Sequence, residues 1–163
     1  MLKILIFSLL ISFQTFAKDV TSMTPEEKTV HIWNELRKDN LEILNDYYAK
    51  DLVFEDPLGR LEGLDAMKKH YAQLYENVTQ IRFEFSKVIK EGNEYFFRWK
   101  MILRSSKLNS GEDIVVEGGS MILFNEQGLV TYHRDFFDMG EMIYEHIPLL
   151  KTVIKSIKGR FAH

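Results

Sequence analysis

Tyr95, Phe97, Trp99, Met101 and Leu103 alternate with a second set of positions that carries Arg98, Lys100 and Arg104. A period of two held over this length is the mark of a β-strand with one buried and one wet face. The stretch has neighbours of the same kind. Ile81, Phe83 and Phe85 alternate with Arg82, Glu84 and Ser86, and further strands are expected over 114–124 and 129–137. Turn-forming runs at 91–94, 109–113 and 125–128 separate them. Strands joined by such short turns pair antiparallel, so the second half of the chain reads as a meander of hairpins.

The first half has a helical period instead. Thr24, Pro25 and Glu27 make a helix start: threonine caps, proline suits the first turn, and the glutamate closes a capping box. Val30, Trp33 and Leu36 follow at helical spacing. Asn40 is placed to cap a second short helix ending near Tyr48, and a short strand is expected over 52–55. Residues 64–76 read as a helix with Leu64, Met67, Tyr71 and Leu74 on one face. Helices that precede a meander define an α+β domain: a cone-shaped roll of N-terminal helices packed on a curved antiparallel sheet. Gly118 and Gly119 fall in mid-strand, where a bulge or bend would curve the sheet.

A chain of 163 residues suits one domain, and 45% apolar with 28% charged residues is a globular composition. The net charge of -3 gives no general attraction to nucleic acid. There is no cysteine, which removes disulfides and thiol chemistry. Residues 1–17 combine a short positive start, an apolar run and small Thr15 and Ala17, the pattern of a cleaved secretory signal. The chain then divides into a leader (1–17), a domain (18–147) and a basic helical tail (148–163), with a periplasmic or secreted location expected. In the tail, Leu149, Leu150, Val153, Ile154 and Ile157 form an apolar stripe beside Lys151, Lys155, Lys158 and Arg160. Two readings stand: a helix docked over the domain or its partner, and peripheral contact with an anionic membrane.

The segment Glu55, Asp56, Pro57, Leu58, Gly59, with the helices before it and the meander after it, resembles the nuclear transport factor two-like superfamily, in its SnoaL-like and ketosteroid-isomerase-like branch. The resemblance covers nearly all of 24–140. It implies a cavity inside the cone and places Asp56 at the general-base position of the isomerases. The two oxyanion donors of those enzymes fall near Ile32 and Ser120, and neither is matched. On the last strand, His133, Asp135 and Phe137 share one face by period two, and the resemblance turns that face into the cone.

Candidate catalytic residues are therefore Asp56, His133 and Asp135, and candidate ligand-binding residues are Ser120, Phe137 and Trp33. Each has a structural alternative: Asp56 as a turn cap before Pro57, the histidine and aspartate as a polar cluster that fixes the cavity, and the aromatics as ordinary core. Glu55 alternates to the other face and reads as solvated. The five histidines lack ligand spacing, and no phosphate loop is present, so neither a metal nor a cofactor is expected. The expected partner is a small hydrophobic molecule, bound by an isomerase-, cyclase- or hydratase-type enzyme without a cofactor or by a non-catalytic carrier; an envelope-associated dimeric interaction module is the other reading. A homodimer through the outer sheet face is expected from related folds.

Overall fold

The computed structural model describes residues 20–161. The leader read in residues 1–17 lies outside the described residues. Helix α1 (Pro25–Glu35) begins as its sequence dictates. The Thr24 hydroxyl accepts from the Glu27 amide at 3.2 Å, and the Glu27 carboxylate accepts from the Thr24 amide at 2.9 Å. Asn40 behaves differently from expectation. Its side chain accepts from the Arg37 amide and donates to the Glu35 carbonyl, so it closes the end of α1 and does not cap the 3-10 turn that follows at Leu41–Asp46. An amide can do both at once because it carries an acceptor and two donors.

Strand β1 (Tyr48–Asp56) is longer than the sequence suggested, and hairpin strand β2 (Gly59–Glu62) follows it. Helix α2 (Leu64–Leu74) leads into β3 (Val78–Glu91), β4 (Glu94–Ser105), β5 (Ile114–Phe124) and β6 (Val130–Phe137). The six strands form one curved sheet in the order β2-β1-β6-β5-β4-β3. The meander is antiparallel throughout, but β1 pairs parallel with β6, with Phe54 opposite His133 and Glu55 opposite Arg134. The sheet is therefore mixed where an antiparallel one was expected. Contact between strands so distant in sequence is fixed by the whole strand order, not by any local pattern.

Helices α1 and α2 cover one face. Between them and the sheet lies a core built on Ile32, Leu44, Leu52, Met67, Phe97 and Ile122, each with at most 1% exposure. Of the bulge or bend expected at Gly118–Gly119, the bulge is absent: β4 and β5 stay in register from Glu94↔Leu123 to Leu103↔Ile114. The glycines serve a different end. A Cβ on Gly118 would lie 2.3 Å from the Trp99 ring, and one on Gly119 would lie 2.3 Å from the Phe96 ring. Each glycine thus lets an aromatic side chain of β4 lie flat on β5, one on each face of the sheet.

After β6 come a short helix α3 (Met139–Met142), a 3-10 turn at Tyr144–His146 and helix α4 (Pro148–Phe161). The reading of α4 as a helix docked over its own domain is not met. It packs chiefly on the Tyr144–His146 turn, and none of its residues is buried.

Candidate functional site

Period two along β6 puts His133, Asp135 and Phe137 on the inner face at increasing distance from the core. His133 is wholly buried, while the Asp135 side chain keeps 19% exposure. Cross-strand register sets Ser120 of β5 directly opposite Asp135. These positions join into one hydrogen-bonded chain. Trp99 Nε1 meets Ser120 Oγ at 2.8 Å, and the Ser120 hydroxyl bonds Asp135 Oδ1. His133 Nε2 lies 2.7 Å from the same Oδ1, and its Nδ1 lies 2.8 Å from the Tyr48 hydroxyl of β1.

The indole sets the direction as far as Asp135, because its N–H can only donate. Ser120 accepts from Trp99 and therefore gives its own proton to Asp135. An Asp135 carboxylate takes that bond and a second from His133 Nε2–H. His133 Nδ1 is then a lone pair, and the Tyr48 O–H donates to it. Burial, with the nearby Tyr71, Tyr47 and Asp135 adding to it, holds the Tyr48 phenol well above its ordinary pKa, so it stays a donor. The imidazole is clamped between rings: Trp33 stacks on it with centroids 5.1 Å apart, and Phe54 meets it edge-on at 5.0 Å.

Both hydrogen bonds fall on Asp135 Oδ1. Among the described residues, Oδ2 has no hydrogen-bond partner. Asp135 lines a cavity of roughly 90 Å³. Apolar side chains make most of the wall, including Trp33, Phe83, Trp99, Phe137 and Met142. The polar lining comes from Asp56, His70, Tyr71, Tyr75 and Asp135. Tyr75 is committed elsewhere, as its hydroxyl donates to the Leu36 carbonyl at 2.7 Å. Among the described residues no group of three or more acidic or histidine side chains is gathered to hold a metal ion.

Asp56 is at the cavity wall, and it also caps a turn. Its Oδ1 accepts from the Leu58 and Gly59 amides at 2.8 and 2.9 Å, in the two-residue loop between β1 and β2. Glu55 points to the opposite face, as expected, yet it is not simply solvated. Its carboxylate bonds Arg60 at 2.7 Å and accepts from the Tyr132 hydroxyl at 3.1 Å, with Arg134 at 3.7 Å. Tyr132 first and Arg60 next hold it below the usual glutamate range.

Of the six side chains expected at the site, the structure places Asp56, Asp135, Trp33 and Phe137 on the cavity wall. His133 and Ser120 lie behind Asp135, each with no exposure, and bond to it from there.

The SnoaL-like domain model matches residues 27–133, from α1 to His133 in β6. The chain belongs to the SnoaL-like domain family. Solved structures agree on the fold. A SnoaL-like protein of Jannaschia sp. CCS1 superposes with TM-score 0.66 at 15% identity, covering 76% of this chain and 90% of that one. An NTF2-like protein of unknown function from Burkholderia pseudomallei K96243 gives TM-score 0.64 at 18% identity over 77% and 99%. An LEH-like epoxide hydrolase of M. tuberculosis gives 0.60 at 15% over 80% and 93%. Among curated proteins, none matches the chain in sequence.

In this SnoaL-like chain, sequence reasoning missed the imidazole that faces the cavity. It is His70 of α2, three residues after buried Met67 and so on the helix face that packs inward. The helical period carried that signal, which spacing for metal ligands did not. Burial lowers the His70 pKa, while the Asp56 and Asp135 charges pull it the other way.

Proposed function

We propose that this SnoaL-like protein binds a small, mostly apolar carbonyl compound in the cavity and moves a proton on it, with Asp135 as the base. The observation that carries this reading is the division of labour on the Asp135 carboxylate. Oδ1 is held by Ser120 and His133, and Oδ2 is unengaged on an apolar wall. A carboxylate fixed at one oxygen and open to the cavity at the other is oriented for proton transfer. In such a step Oδ2 takes a proton from carbon beside the carbonyl, and the C–H electron pair moves into an enolate. The Oδ2 proton exchanges with solvent in the enolate state, and a proton from Oδ2 then goes to another carbon. His70, Tyr71 and Asp56 are the polar groups available for the substrate oxygen. His133 and Ser120 are positioning residues here, since they act through Asp135.

The size of the cavity limits the ligand. An apolar void of about 150 Å³ holds benzene, so at roughly 90 Å³ only a short chain fits without movement and a single ring already requires the wall to give. Larger ligands require displacement of rim side chains such as Leu58, which is 62% exposed.

The test is to identify what co-purifies by mass spectrometry, then incubate it with the protein in D₂O. Deuterium should enter a carbon position, and Asp135→Asn should slow this by about 10²–10⁴-fold, the usual worth of a general base. Asparagine keeps the Oδ1 acceptor and replaces only the free oxygen. A ligand that binds tightly with no exchange would make the protein a carrier and end the catalytic reading.

A further inference from the structure

Helix α4 is the part of the fold that the cavity does not use. Its apolar side chains, Leu149, Leu150, Val153, Ile154, Ile157 and Phe161, occupy one arc of about 140° at 3.6 residues per turn. That arc is in solvent: Leu149 and Phe161 are 76% and 77% exposed, and Ile154 alone among the six is half-buried. Lys158 fixes which way the helix is turned. It pairs with Glu145 and approaches Asp138 at 3.8 Å, so the Ile154 edge of the arc faces the body and the rest of the arc stays in solvent.

The charge pattern identifies the occupant. Residues 148–161 hold four Lys or Arg and no acid, in a chain of net charge -3. Lys151, Lys155 and Arg160 have no ion-pair partner among the described residues. A helix with one apolar arc, with Lys151 and Lys155 on the polar side and Arg160 within the arc, and with no acid complements an anionic lipid surface. The outer sheet face of a second copy is a poor match. Around its exposed Phe96 and Phe136, Arg98 pairs with Glu117 and Arg134 approaches Glu55, so that face is close to balanced in charge and does not select a basic helix. Fourteen residues of helix are too short to cross a bilayer, and no described helix is long and apolar enough to do so. We propose that α4 lies flat on an anionic membrane surface, with Ile157 inserted and Thr152 in water. This is independent of the chemistry in the cavity.

The chain has no cysteine, so a single introduced thiol reports one position. Ile157→Cys and Thr152→Cys, in the otherwise full chain, would each carry an environment-sensitive dye. Comparing two faces of one helix separates the contribution of α4 from that of any retained leader. With vesicles of phosphatidylglycerol and phosphatidylcholine at low salt, emission should shift to the blue at 157 and stay unchanged at 152. Vesicles of phosphatidylcholine alone should give a much weaker shift. Replacing Lys151, Lys155 and Arg160 by Glu in the Ile157→Cys background should weaken binding by at least about tenfold. Absence of a shift at 157, or an equal shift with uncharged vesicles, would overturn the proposal. So would a blue shift without vesicles that grows with protein concentration, which would assign the face to a second copy.

Discussion

Tyr48 and His133 meet through a 2.8 Å bond from phenol oxygen to Nδ1, and neither side chain has more than 1% exposure. The two residues come from the parallel strand pair β1–β6, so this bond also ties the edge hairpin to the meander. With Tyr48 as the donor, a neutral His133 carries its proton on Nε2, aimed at Asp135. Tyr48→Phe removes the donor and keeps the ring. A buried Nδ1 without a partner should cost about 1–3 kcal/mol in chemical denaturation. Nitrogen NMR of the imidazole should show Nε2–H in the parent protein and a changed tautomer mixture in the variant. A parent spectrum with Nδ1 protonated would reverse the donor order between Tyr48 and His133.

Much of this site was legible before any coordinates. Period two put Asp135 and Phe137 on one face, the family resemblance turned that face inward, and the antiparallel meander followed from turns and alternation. What stayed hidden depends on contacts between distant segments. Tyr48 read as the end of a short helix because its role comes from a parallel pairing with β6 that no local pattern announces. Trp99 read as core, which it is, but its N–H also starts the hydrogen-bond chain through Ser120. The depth of His133 was hidden for a related reason. Alternation gives a face but not the distance from its residues to the cavity.

Asp56 has two duties that one pair of substitutions can separate. Asparagine keeps an oxygen for the Leu58 and Gly59 amides, while alanine removes it. Asp56→Asn should leave stability within about 0.5 kcal/mol of the parent. Asp56→Ala should lose about 1 kcal/mol, as for other side-chain caps on backbone amides. If the charge also serves the substrate, both variants should lower deuterium exchange into the bound ligand. Exchange that survives in Asp56→Asn at the parent rate would leave this residue with the turn alone.

His70 gives the fold a sensitivity to mild acid. Burial is the main influence and lowers its pKa below the ordinary 6.5, against the pull of Asp56 and Asp135. Between the folded value and 6.5, the unfolded chain holds a proton that the folded chain does not. Stability should therefore fall as pH drops through about 6.5 and level off below the folded value. Glu55, held low by Tyr132 and Arg60, acts in a more acidic window, below the usual carboxylate value of 4.5. Thermal midpoints measured from about pH 7.5 down to about pH 5 should decline in the parent and stay flatter in His70→Gln. Equal slopes in the two proteins would show that another group carries the effect.

The last prediction concerns a residue that touches no ligand. Gly118 faces Trp99 across β4 and β5, and an added Cβ would meet the Trp99 ring at 2.3 Å and the Phe136 carbonyl at 2.7 Å. The carbonyl belongs to the β6 backbone, so rotation of the indole cannot relieve both contacts. Gly118→Ala should destabilise by about 1–3 kcal/mol, the usual range for an overpacked interior. It should also do something that a merely weakened core would not. Displacing the indole breaks the Trp99 bond to Ser120, which frees the Ser120 hydroxyl to rotate away from Asp135. Deuterium exchange into the bound ligand should then fall in Gly118→Ala even where the protein remains fully folded. Gly119→Ala, whose Cβ meets Phe96 on the outer face, should be destabilising without that loss. Equal exchange rates in the two alanine variants would separate the hydrogen-bond chain from the chemistry proposed for Asp135.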